Sequence, residues 1–132
     1  MPLFNPGIDA NGGAIAGALS VGGDLATSGA LTVTGAAAFS GAVQVATAGQ
    51  TIGIKEGTNA CMGTAVLNGT TEVVVATTAV QTNSRIYLTA NTPGGVPTGS
   101  AYVSSRSAGV QFGIKGLAGD TSTVAWLILA PL

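Results

Sequence analysis

Histidine is absent from this chain of 132 residues, cysteine occurs once, and charge is scarce, with four basic and five acidic side chains in all. Without histidine there is no Ser-His-acid or Cys-His relay, and most zinc sites lose a ligand. The lone Cys61 forms no intrachain disulfide and reads as a small packed residue rather than a nucleophile. Asp9, Asp24, Glu56, Glu72 and Asp120 are scattered, none paired with another in sequence. Paired-carboxylate catalysis therefore has no sequence support, and the capping of turns is their expected role. Lys55, Arg85, Arg106 and Lys115 do not cluster, so they lay down no basic stripe of the kind a phosphate backbone demands. Nucleic acid is not an expected partner. No G-x-x-x-x-G-K-[ST] loop occurs, and no helical pattern exists for a G-x-G-x-x-G turn to open. The expectation is a protein that is not an enzyme and takes no cofactor and no metal.

Long apolar runs are missing too. The strongest, residues 124–132, is too short to cross a bilayer and contains Pro131. The first residues, MPLFNPGIDANGG, have neither a basic stretch nor an apolar core, so no leader is expected and synthesis in a cytoplasm is. No membrane partner follows from this pattern. A surface with so few charges is unusual for a free monomer, and implies that neighbours cover much of it.

What the chain has in abundance is glycine, and part of it is phased. Gly17, Gly23, Gly29, Gly35 and Gly41 open five consecutive hexads, GALSVG, GDLATS, GALTVT, GAAAFS and GAVQVA. The second and fourth positions after each glycine form two columns, Leu19, Leu25, Leu31, Ala37, Val43 and Val21, Thr27, Val33, Phe39, Val45. Alternation at period two means extended chain with one face to bury, and an even repeat keeps that face constant. A bend, or a neighbour, is expected once per hexad, at the residue with no Cβ.

One such hexad cannot stand alone. Ordering six residues of backbone costs about 6–12 kcal/mol, whereas burying two aliphatic side chains returns about 3–6 kcal/mol. A solenoid needs several units before its core closes, and five hexads are too few for one. Identical chains wrapping together resolve the deficit, so residues 13–46 read as a trimerisation element with Leu19, Val21, Leu25, Leu31, Val33, Phe39, Val43 and Val45 at the threefold contact. Hexapeptide acyltransferases, the obvious rivals, typically rely on a histidine base and space their glycine and aliphatic positions differently.

Residues 1–12 form an irregular arm in which Leu3 and Phe4 have no periodic partner and are candidates for docking. Residues 47–63 read as a connector, with Ile52 and Ile54 hinting at a short strand and Gly57 and Gly63 at turns. From residue 64 to 132 the pattern is that of short strands. TAVL leads into Asn68 and Gly69, a hairpin signal, and TTEVVVAT returns from it. SRIYLTA, a loop NTPGGVPTG, SAYVSSR, VQFGIK and STVAWLILA follow. The fold class expected is all-β: an extended hexad-repeat element, trimeric and prism-like or β-helix-like, followed by a small β-sandwich or jelly roll. The last strand is apolar on both faces around Trp126, so it is central or covered by another subunit. Tyr87, Tyr102 and Trp126 are the aromatic groups a carbohydrate-binding module would use, but all lie in strands where core packing is the simpler role.

The run GDLATSGALTVTGAAAFSGAVQV resembles the G-x-L-x-V-x-G repeats of tailed-bacteriophage structural proteins, such as tail fibres, head fibres and decoration proteins. KEGTNACMG, TTAVQTNSRIYLTA and DTSTVAWLILAP resemble a C-terminal domain that often follows those repeats. The resemblance implies a homotrimeric virion component, made in the host bacterial cytoplasm. The short length favours a capsid decoration or cement protein that binds the major capsid protein at threefold or quasi-threefold positions on the head surface and stabilises the shell. A short head or tail fibre contacting the host surface is the alternative, and a carbohydrate-binding module a more distant one.

If the columns face a threefold axis, Leu31→Asp sets three charges against one another in an apolar cleft and the trimer is lost. Sedimentation equilibrium reads this directly. A variant as trimeric and as heat-resistant as the parent would place Leu31 away from the axis.

Overall fold

The computed structural model of the chain describes residues 21–96 and 99–131. Leu3, Phe4, the rest of the arm, and Leu19 lie outside the described residues. The chain divides into two units, Met1–Gln44 and Val45–Leu132.

In the first unit the hexad period is written into the backbone. Bends fall at Gly22 and Gly23, Ser28 and Gly29, Thr34 and Gly35, and Ser40 and Gly41, separated by extended stretches. The expected bend once per hexad is therefore present. Every residue from 21 to 53 is exposed, and no strand precedes Met62 among the described residues. The column residues share this exposure: Phe39 presents 70% of its surface and Leu31 65%. A Cβ added at Gly23, Gly29, Gly35 or Gly41 would meet nothing within 4 Å, and none of the four has a left-handed φ. Neither of the usual local reasons for glycine operates within one chain.

In the second unit, a turn at residues 47–50 closes with the Gln50 amide donating to the Thr47 carbonyl, and Gly49 sits at positive φ. Ile52 and Ile54 form no strand, because nothing among the described residues pairs with them. Gly57 does mark a turn: the Ala60 amide reaches its carbonyl, with Asn59 left-handed.

Six strands then build a β-sandwich: β1 (Met62–Val66), β2 (Val73–Ala76), β3 (Arg85–Thr92), β4 (Tyr102–Ser107), β5 (Gln111–Lys115) and β6 (Thr123–Leu129). They form two three-stranded antiparallel sheets, in the orders β1-β6-β3 and β2-β5-β4. All-β and sandwich are thus the observed class, while the eight strands of a jelly roll are not found among the described residues. Inward side chains alternate along the central strands, Phe112 and Ile114 from β5 and Val124, Trp126 and Ile128 from β6, with Leu67 and Val80 closing the ends. Phe112 and Trp126 meet edge to face at 5.4 Å, so the two sheets are joined at their middle strands.

Two local expectations are corrected. Asn68 and Gly69 do make a turn, with the Thr71 amide donating to the Asn68 carbonyl, but β1 pairs with β6 and β2 with β5, so the turn is a corner between sheets and not a hairpin. Gly69 is buried there; its N–H donates to the Asp120 carbonyl and its own carbonyl accepts from Gly116. β4 and β5 are the sequential pair that does form a hairpin, through a turn with Gly109 at positive φ. Gly63 is no turn either. It lies inside β1 opposite Trp126, where an added Cβ would come within 2.7 Å of Cζ2 of the indole.

Gly63→Ala should therefore push the indole off its seat and cost about 1–3 kcal/mol. Urea denaturation followed by Trp126 fluorescence measures it. An unchanged midpoint would mean that the indole does not rest on Gly63.

Candidate functional site

Each sheet turns one face inward and leaves the other open, and the two open faces differ in chemistry. On the β2-β5-β4 sheet the outward positions are Glu72, Val74 and Ala76, then Gln111, Gly113 and Lys115, then Tyr102, Ser105 and Ser107. A bulge between Val103 and Ser105 adds Ser104 to the edge strand, re-aiming its hydroxyl. Ser104 Oγ donates to Glu72 Oε2, and the carboxyl group lies over Gly113, where any Cβ would overlap both it and the Ser105 hydroxyl. Gly113 is thus the floor that lets a carboxylate from one edge reach serines from the other. The Ser104 hydroxyl first and then that of Ser105 hold the Glu72 carboxyl below the usual range, against a smaller opposing effect of burial, and the Lys115 charge adds the least. Tyr102, 54% exposed, stands opposite Lys115 on the same face.

The β1-β6-β3 sheet presents the opposite character. Met62, Leu127 and Tyr87 stand in register across its three strands, and Thr64, Ala125 and Thr89 form the next row. Val66 and Leu129 are exposed at its ends, and Arg85, opposite Leu129, is the charged residue of this face. Tyr87 is 52% exposed. Of the three aromatics assigned to core packing, only Trp126 is in the core; Tyr87 and Tyr102 point outward, one from each sheet.

A third polar centre is structural. Asp120 is fully buried; Oδ1 accepts from the Ser122 N–H at 2.9 Å and Oδ2 from the Gly99 N–H at 3.0 Å. Its backbone accepts from Gly69 and donates to Leu117, so one residue gathers the inter-sheet corner, the 117–120 turn and the loop before β4. Ser122, through its hydroxyl foremost and its N–H, holds the Asp120 carboxyl below the usual range, assisted by Gly99. Both oxygens are occupied by amides, which is turn capping and not acid-base chemistry. Beside it a cavity of about 270 Å³ opens between Leu88, Ala90 and Val124 on one side and residues 99–101 on the other, with no charged residue in its lining. Among the described residues no three of His, Cys, Asp and Glu come together as metal ligands.

Val21, Leu25, Leu31, Val33, Phe39, Val43 and Val45 are all exposed, and their columns are not closed within one chain. Arg85 and Arg106 are exposed at their strands, and Lys55 and Glu56 are exposed beside the turn at Gly57. Cys61 is a free, half-buried thiol packed against the core.

Residues 59–129 match the family described as K1 capsule-specific polysaccharide lyase, C-terminal domain. The chain belongs to this family. The match begins just before β1 and ends on the last residue of β6, so it covers the whole sandwich and leaves the hexads ahead of it. No curated protein and no solved structure matches the chain. What is shared with the lyase is its C-terminal domain, and nothing in that match assigns a reaction to this chain.

Because the Asp120 and Glu72 carboxyls titrate lower in the folded than in the unfolded chain, the unfolded chain binds more protons in that window, and stability falls as pH drops through the folded values. The thermal midpoint should be level above the ordinary carboxylate range and decline below it. Asp120→Asn should lower the midpoint at neutral pH and flatten the acid decline. Circular dichroism melts across pH test this, and parallel curves for the two proteins would remove Asp120 from the account.

Proposed function

We infer that the chain is a non-enzymatic, homotrimeric component of a phage virion of the fibre or spike-associated kind, which works at the surface of the host. The observation that carries this reading is the family match across the entire sandwich. The named family member is specific for a capsule polysaccharide, a cell-surface polymer, and its C-terminal domain is the part found here. The phased hexads and their resemblance to phage appendage repeats supply the virion context. They also support the trimer, since the columns are exposed from Val21 to Val45 and have no cover among the described residues. Glycines that answer no local need support the same conclusion.

The capsid-cement reading expected from chain length gains no support from the family match, which points to the cell-surface alternative; contact with a major capsid protein and a place on the capsid surface go with the cement reading. No helix among the described residues is long and apolar enough to cross a membrane. The open polar face with Tyr102, Lys115, Gln111 and the serine-held Glu72 has the hydrogen-bonding groups and the aromatic ring that a polysaccharide contact uses.

Virions lacking the protein should survive heating as well as the parent but adsorb poorly to capsulated cells, with adsorption to cells stripped of capsule unaffected. Purified protein should bind the capsulated cells and compete with the virion. Heat-fragile particles that adsorb normally would reverse the assignment in favour of cement.

A further inference from the structure

We propose that the outer face of the β2-β5-β4 sheet holds a saccharide-binding site, in which Tyr102 stacks on one uncharged pyranose unit of a cell-surface polysaccharide while Glu72 accepts from its hydroxyls and Lys115 donates to them. The proposal rests on the host-surface reading above and narrows it to one sheet face, one sugar chemistry and three side chains.

The register sets those three in a row. Lys115 is the partner of Tyr102 on one side, and on the other β2 starts with Val73 opposite Ile114, so that Glu72, one residue earlier, falls beside Lys115. Acceptor, donor and ring thus cross the sheet in order. Two strand spacings make the row about 10 Å wide, the reach of one sugar unit with its hydroxyls.

Glu72 is oriented before any ligand arrives. A glutamate at a sheet edge ordinarily extends into water and samples many rotamers. This one is folded back over Gly113, and Ser104, re-aimed by the bulge in β4, donates to its Oε2. Ser104 and Ser105 together keep the half-buried carboxyl ionised and fixed, which lowers the ordering cost of a contact made to it.

Charge identifies the occupant. One carboxylate and one ammonium share the row, so it has no net charge with which to hold an ion, and an acidic sugar would meet the charge of Glu72. Hydroxyls, which both donate and accept, suit such a pair. Gln111, two residues along β5 on the same face, adds an amide to the set. Tyr87 on the other sheet is as exposed as Tyr102, but its row holds Leu127 and Met62 and the next row Thr64, Ala125 and Thr89. Neither of those rows has a carboxylate, an amide or an ammonium to orient a sugar beside the ring.

Isothermal titration calorimetry of the full chain against purified capsular polysaccharides, with binding to intact capsulated cells measured in parallel, tests the site. The parent should bind, and its affinity should change less than about threefold between about 0.1 and 1 M salt. Tyr102→Ala should weaken binding at least about tenfold. Glu72→Gln, which keeps an oxygen for the serines but loses the charge, should do the same, which separates a sugar contact from a mere clasp between strands. Tyr87→Ala, the matched ring on the other sheet, should leave affinity within about twofold. Trp126 fluorescence verifies the fold, and if Tyr102→Ala unfolds the domain, Lys115→Gln takes its place with the same expected loss. A parent that binds as tightly as all these variants, or that loses binding through Tyr87→Ala instead, overturns the site and leaves the host-surface reading standing. Binding abolished by salt overturns the uncharged-sugar chemistry. A parent that binds neither polymer nor cells overturns the host-surface reading and the site with it.

Discussion

The sandwich depends on the meeting of its two middle strands. β5 and β6 each pair on both sides, and Phe112 and Trp126 bring their inward faces together edge to face. An indole of this size fits between three-stranded sheets only because Gly63, directly across the ladder, offers no side chain. Among the described residues the indole N–H has no acceptor, and the ring is held there by van der Waals contact and burial. With the middle strands fixed, the four strand connections that change sheets must turn sharply at the ends. Asp120 serves that need by drawing the Gly69 corner, the 117–120 turn and Gly99 onto one carboxylate and its backbone.

The second constraint is what remains uncovered. A chain with nine charged residues has little means of keeping apolar surface in water, yet its hexad columns from Val21 to Val45 are open. On the reading proposed above, more copies of the chain cover the columns. The polar face carries the opposite design: a carboxylate held by serines over a glycine floor, with lysine and tyrosine beside it, remains suited to an aqueous ligand.

Most strands were legible because short β-rich runs bounded by glycine, proline and asparagine mark their own limits, as in SRIYLTA and STVAWLILA. Pairing was not. A turn signal such as Asn68 and Gly69 says where the chain reverses, and long-range contacts to Gly116 and Asp120 decide that it reverses into the other sheet. Gly63 was ambiguous for a related reason: a glycine serves a turn or a close approach equally well, and Trp126 lies 63 positions away in sequence. The parity of Tyr87 and Tyr102 could not be read either, since a shift of one residue in register exchanges the two faces. Glu72 gave no signal as a candidate because its hydroxyl partners are more than thirty residues distant, on a strand whose bulge is invisible in the sequence. The hexad bends from Gly22 to Gly41, by contrast, were legible, since glycine recurs there every six residues.

Amide hydrogen exchange across residues 21–45 of the full chain at micromolar concentration tests the central claim, that copies of this chain supply what one chain leaves uncovered. A single chain has no ladder here and every residue is exposed, so its amides would exchange at the rate of a free peptide. Wrapped copies predict slow exchange that recurs every six residues, with the fast positions at the bends. Free-peptide rates throughout the segment would contradict the account.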